Sequence, residues 1–359
     1  MNLKDVYNKE FVIKLAHEIN LIFPAFDCKG FIDAIINKTW EEKELKERMR
    51  FVSNAIHDYL SIEYKKQIEL LIKVAPKFGG LQGLIFPDFV QVYGLNDFPT
   101  SIYALEVFTQ YSSSEFAIRP FIETYPNEAI QQLLVWSKSE NHHVRRLASE
   151  GSRPKLPWAP ALKEFIINPE PVIPILDNLK NDDSEYVRKS VANHLNDITK
   201  TQPELVLALV KEWIGQTANT DWIIKHGLRT LLKKGDKNAL AIFKLHDASN
   251  LSIKDLIVNK KSIAIGEDLF FNFTLLNDSN RVRNIRVEYK IAYIKANGSI
   301  SKKVFQLSQL TIEKGVSKSF KRKQRFTDFT TRKHYPGLHE VIIVVNGEDK
   351  CSIAFELTK

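Results

Sequence analysis

The chain has 359 residues, a formal net charge of +8, 26% charged residues and two cysteines. This length allows two or three domains of ordinary size. No apolar run reaches the roughly 18 residues of a membrane span. The charged opening MNLKDVYNKEFVIKL is not a signal peptide, and Cys28 and Cys351 alone give neither a disulfide framework nor a zinc motif. The expectation is a cytoplasmic protein with reduced thiols.

Up to about residue 247 the pattern is helical. Apolar residues recur at spacings of three and four in LKERMRFVSNAIHDYL and KKQIELLIKV, and KFGGLQG, YGLNDFP, YPNE and NPEPVIP punctuate the stretches between. The stretch 112–160 brings together Glu115, Arg119, Arg145, Arg146, Arg153 and Trp158. Its exit, RPKLPW, has two prolines that stop the helix and stiffen the turn. A rigid turn presenting a basic residue and an indole together suits an anionic polymer carrying flat bases. Helices NHHVRRLASEG (141–151) and SEYVRKSVANHLNDI (184–198) resemble one another, with Val144 and Val187 43 residues apart. That separation lies within the HEAT and armadillo period of roughly 40–47 residues. DWIIKHGLRTLLKKGD (221–236) is a looser third copy. Such helix pairs bury their apolar faces only by stacking, so residues 1–248 are expected to form an all-α HEAT-like repeat solenoid.

From about residue 250 the pattern changes. EDLFFNFTLL, IRVEYKIAYI, VFQLSQLTI and HEVIIVVNG are rich in β-branched and aromatic residues and are separated by turn residues. About seven short strands in residues 251–359 suit an immunoglobulin-like β-sandwich. Between Arg281 and Tyr335 there are 15 lysines and arginines against three acidic residues. A concentrated basic region favours a polyanion, although a solvated strand face that only keeps the protein soluble has the same composition.

The tract SSEFAIRPFI…VRRLASEGSRPKLPWAP…VRKSVANHLNDI resembles the DNA alkylation repair glycosylases of the AlkC type, and the helical body is similar to AlkD. The resemblance covers essentially the whole chain. It implies HEAT-like repeats followed by an immunoglobulin-like domain. It also implies excision of cationic N-alkylated bases from double-stranded DNA, 3-methyladenine above all and also 3-methylcytosine, without flipping them into a deep pocket. By this likeness Glu115 and Asp197 are the catalytic carboxylates, and Phe116, Arg146, Arg153 and Trp158 line the DNA-facing site. The basic second domain then becomes a DNA clamp, with Arg283, Arg286, Lys321 and Arg322 as its contacts.

The chemistry accommodates these assignments. A cationic base leaves as a neutral molecule, so no acid need protonate it. Carboxylates stabilise the oxocarbenium-like sugar and orient water. An indole stacks on the sugar or attracts the cation, and arginines hold phosphates. Each residue also has a plainer role. Ser112-x-x-Glu115 matches a capping box. Asp197 falls at the flank of the core stripe Val187, Val191, Leu195, Ile198, beside Ser190 and His194, where it would pair with a cation of a neighbouring repeat. Trp158 would plug a loop. Arg145 and Arg188 follow core valines and are expected to bridge helices. No metal-ligand spacing, Walker loop or GxGxxG is present, so neither metal nor nucleotide cofactor is expected. The expectation is a monomeric glycosylase; the alternative is a non-enzymatic HEAT-repeat DNA-binding or scaffold protein.

Overall fold

The computed structural model describes residues 2–245, 247–330 and 332–359. It divides into two compact units, Met1–Gly227 and Leu228–Lys359. In the first lie α1 (Lys9–Ile22), α2 (Cys28–Ile35), α3 (Leu45–Tyr59), α4 (Tyr64–Val74), α5 (Ile85–Tyr93), α6 (Phe98–Phe108), α7 (Ile118–Thr124) and α8 (Pro126–Trp136). They are followed by α9 (His142–Gly151), α10 (Lys163–Ile167), α11 (Ile173–Leu179), α12 (Glu185–Ile198), α13 (Pro203–Trp213) and α14 (Ala218–Gly227).

The local signals account for the helix ends. Asn8, Asp27, Asp97 and Asn141 accept hydrogen bonds from backbone N–H groups of α1, α2, α6 and α9. Pro126 and Pro203 open α8 and α13, where the missing N–H is not needed. The repeated helices stack as their apolar stripes require, with α12 packed against both α9 and α14. Val187, Val191, Leu195 and Ile198 are fully buried, and burial of each such side chain contributes roughly 1.5–3 kcal/mol. Ser190, His194, Asn196 and Asp197 are buried beside them, giving α12 a polar inner face that its hydrophobic pattern does not announce.

The third copy differs from expectation. Its helix breaks at Gly227, and the rest becomes α15 (Arg229–Lys234), which clusters with the following residues rather than with α12. The second unit therefore holds α15, α16 (Lys237–Ile242) and eight strands among the described residues, not seven short ones. These are β1 (Leu251–Val258), β2 (Ser262–Ala264), β3 (Asp268–Asn277), β4 (Arg283–Ile294), β5 (Ile300–Ile312), β6 (Ser317–Arg325), β7 (Gly337–Val345) and β8 (Glu348–Thr358). One sheet has the order β1-β3-β6 and the other β2-β8-β7-β4-β5. All pairings are antiparallel except β2 with β8. Period-two alternation points Leu269, Phe271, Phe273 and Leu275 of β3 into one core with Ile285, Val287, Tyr289 and Ile291 of β4.

Two glycines tie the short helices to the sandwich. Asn346 and Gly347 turn the β7–β8 hairpin with φ of 46° and 82°, as a tight hairpin turn requires. A Cβ on Gly347 would stand 2.6 Å from the Cα of Gly235, itself at φ 73° in the C-cap of α15. No larger residue fits at either position without moving the other chain segment.

Candidate active site

Glu115 lies in the loop before α7. Ser112 donates to the carbonyl of Gly80 (2.7 Å) and Ser114 to that of Leu105 (2.8 Å), which fixes the loop. The capping box does not form: α7 starts at Ile118 without a side-chain cap. The Glu115 carboxylate instead forms an ion pair with Arg146 and accepts a 2.6 Å bond from Ser113. Arg146 donates to the Ser113 hydroxyl (2.7 Å), lies 4.8 Å from the Tyr186 ring and approaches Glu150 at 3.6 Å. Glu150 in turn meets Arg153 at 2.6 Å. Arg153 reaches Asp197 through Nε (2.9 Å) and Nη2 (2.8 Å), and Lys200 completes Asp197 at 2.9 Å. The result is an alternating ladder: Glu115, Arg146, Glu150, Arg153, Asp197, Lys200.

Asp197 is 2% exposed and Arg153 7%. Burial acts to lower the pKa of Arg153, but Glu150 and Asp197 outweigh it and hold the group above its ordinary value. His194 lies beside this ladder and donates from Nδ1 to the Ser149 carbonyl (3.0 Å). Burial pushes its pKa down to about 3, against the pull of Asp197. The unfolded chain protonates His194 below about pH 6.5, whereas the folded chain resists until about pH 3. The associated stability is complete above pH 6.5 and is lost as pH falls toward 3. Chemical denaturation at pH 6.5 and pH 4 should differ by on the order of 3 kcal/mol from this group. His194→Asn keeps a donor for Ser149 and should flatten that dependence; an unchanged slope would place its origin elsewhere.

The second part of the site is the loop 151–160. Arg119, 3% exposed, donates to the carbonyls of Gly151 (3.0 Å), Arg153 (2.8 Å) and Pro160 (3.1 and 2.6 Å). Burial lowers its pKa to about 10, so the guanidinium remains charged at neutral pH. This clasp holds both ends of the loop, and Lys46 of α3 bonds the Trp158 carbonyl between them. Trp158 has a φ of 66°, a conformation that is rare for a bulky residue, and its indole is 64% exposed. It does not plug the core. Trp158 and Phe116 line one groove of about 710 Å³ with Lys46. The Lys46 ammonium lies 5.0 Å from the Phe116 ring and 6.0 Å from the Trp158 ring.

Several arginines depart from the roles expected of them. Arg153 is buried between two carboxylates, Glu150 and Asp197, which occupy its guanidinium. Arg283 is buried, donates to Ser249 (3.0 Å) and Asp247 carbonyls, and so ties the chain before β1 to β4. Arg286 is buried against Glu288 at 2.7 Å. Both guanidinium groups are buried against acceptors of the chain itself rather than exposed on the surface of the sandwich. Lys321 and Arg322 on β6 are exposed. Arg145 of α9 bridges to the next repeat as read, through a two-pronged pair with Asp182 (2.6 and 3.0 Å), whereas Arg188 donates to the Asp182 and Asp183 carbonyls just before its own helix and reaches α14 by lying 5.9 Å from the Trp222 ring.

Residues 110–234 match the family model described as DNA alkylation repair enzyme, and residues 252–359 match that of the YhaZ C-terminal Ig-like domain. The chain is 47% identical over 356 residues to the uncharacterized protein YhaZ of Bacillus subtilis (strain 168), covering 99% of each. It is 40% identical, with a TM-score of 0.96 over all of both chains, to the alkylpurine DNA glycosylase AlkC of Pseudomonas fluorescens. The chain belongs to the DNA alkylation repair enzyme family, of the AlkC type. That AlkC structure was solved bound to DNA containing an abasic site analog. All six members of the ladder, and Trp158, fall within the alkylation-repair segment of this AlkC-type chain. The β-sandwich is its Ig-like domain. Glu150 and Lys46 were not singled out by the sequence, and Arg119 was named only as one of the arginines of the stretch 112–160. Glu150 alone had a local signal, standing four residues after Arg146 and three before Arg153. No helix among the described residues is long and apolar enough to cross a membrane.

Proposed function

We propose that the chain is a monofunctional DNA glycosylase that hydrolyses the N-glycosidic bond of cationic N-alkylated bases in duplex DNA. The preferred lesion is 3-methyladenine, with 3-methylcytosine second, and the protein acts as a cytoplasmic monomer without metal or nucleotide cofactor. One observation carries this reading. Two carboxylates 82 positions apart in sequence, Glu115 and Asp197, belong to one ion ladder, and Phe116, next to Glu115 in the chain, lines a groove with the exposed, backbone-strained Trp158. Packing alone does not require a tryptophan to be held outward at positive φ.

The chemistry follows from charge. The lesion is a cation, and as its glycosidic bond breaks the positive charge moves to the sugar. Carboxylate charge held nearby stabilises that state, and a carboxylate also orients the attacking water. Normal bases leave poorly without protonation, so a site without a strong acid selects lesions by their intrinsic lability. Trp158 stands on the surface rather than inside a closed cavity, which supports contact with the lesion's sugar and base without deep flipping. The full pairing of Asp197 favours a second reading, in which the ladder is purely structural and the chain only binds DNA. Release of free base from methylated DNA separates the two.

The Ig-like domain is assigned a clamp role through β6, whose Lys318, Lys321, Arg322, Lys323 and Arg325 side chains are exposed. The double variant Lys321→Ala, Arg322→Ala should make log K against log salt shallower by about two units, with lesion preference unchanged. An unchanged slope would remove β6 from the interface.

A further inference from the structure

Glu150 sits at the centre of the ladder, yet the substrate chemistry as set out above gives it no part. Its Oε1 is 2.6 Å from Arg153 and 3.6 Å from Arg146, and its Oε2 accepts a 2.6 Å bond from Ser190. The residue is 6% exposed. Each of the two arginines also holds one of the outer carboxylates, Arg146 taking Glu115 and Arg153 taking Asp197. Glu150 is therefore the one group common to both arms.

We propose that Glu150 is a positioning residue that acts through Arg146 and Arg153 to hold Glu115 and Asp197 in one geometry and to keep the site from becoming net positive. Its charge matters as well as its shape. The ladder has three carboxylates and three cations. With a neutral residue at position 150 it gains one net positive charge. That charge opposes the development of a sugar cation, but it favours the approach of phosphates. Rate and affinity should therefore move in different directions, which loss of packing alone would not cause. Ser190, on the facing helix α12, fixes the carboxylate from the far side and couples α9 to the helix that carries Asp197.

This inference rests on the glycosylase reading, and the test separates the two. Wild type, Glu150→Gln and Glu150→Asp are compared for single-turnover release of 3-methyladenine at saturating protein. Affinity is measured for a duplex carrying an abasic-site analogue, and folding by circular dichroism and melting. Wild type that releases no base would overturn the glycosylase reading itself. With active wild type, Glu150→Gln should release base about 10–100-fold more slowly, less than the loss expected for a contacting group, while binding the duplex as tightly or more tightly. Glu150→Asp should recover part of the rate. A folded Glu150→Gln with the wild-type rate, or one whose rate and affinity fall together, would overturn the proposal. If Glu150→Gln does not fold, Ser190→Ala decides. It keeps the charge but frees the carboxylate, so a rate lowered several-fold at unchanged affinity supports positioning, and a wild-type rate refutes it.

Discussion

Glu115→Gln should fold like the parent chain and release free base about 10²–10³-fold more slowly, whereas Asp197→Asn should lose stability as well as activity. The difference follows from what each carboxylate leaves behind. Without the Glu115 charge, Arg146 still has the Ser113 hydroxyl and the Glu150 carboxylate, so the cost is about 1 kcal/mol. Removing the Asp197 charge leaves Arg153 with Glu150 alone and Lys200 without its carboxylate, in a site where the Asp197 side chain is 3% exposed. Breaking a buried pair from one side costs about 3–5 kcal/mol. For a unit of this size that lowers the melting temperature by on the order of 10 °C. Melting curves measured alongside base release would show whether the two carboxylates separate in this way. Equal melting temperatures would mean that the Asp197 pairs contribute little.

Arg119→Ala should be the most disruptive change that touches neither carboxylate. It removes the guanidinium from three backbone carbonyls, those of Gly151, Arg153 and Pro160. A buried acceptor without a donor costs about 1–3 kcal/mol, so the total is roughly 4 kcal/mol or more. Arg119→Lys should fall between, since one ammonium cannot reproduce the planar fork. Base release should drop with the clasp, because the loop no longer holds Trp158 at positive φ. Trp158→Ala is the control. Its indole is largely exposed, so stability should change little while activity falls. Hydrogen exchange across residues 152–162 reports the loop directly. Fast exchange in Arg119→Ala and slow exchange in Trp158→Ala is the expected pair of results, and protection in both would mean that something else holds the loop.

Much of this was legible because its signals are local. The apolar period gave the helices, the valine stripes of 141–151 and 184–198 gave their stacking, and alternation in EDLFFNFTLL gave β3. What was lost depended on distant partners. Arg153 and Arg283 read as surface charges because arginine is seldom buried without a partner, and their acceptors Asp197 and the Ser249 carbonyl come from elsewhere in the fold, whereas Arg286 pairs with Glu288 only two positions on in β4. Ser112-x-x-Glu115 read also as a cap, and the start of α7 at Ile118 together with the Arg146 pair, from a different helix, decides against it. The contact of Gly235 with Gly347 joins two segments that no local pattern connects, so α15 reads as part of the helical repeats although it belongs with the sandwich.

The most direct measurement is release of free 3-methyladenine from methylated duplex DNA by wild type, Glu115→Gln and Asp197→Asn, with folding checked in each. The expected result is release by wild type, with or without a chelator, and its loss in folded Glu115→Gln. A folded wild type that binds the duplex and releases no base would contradict the glycosylase assignment and leave a DNA-binding protein whose ion ladder is structural.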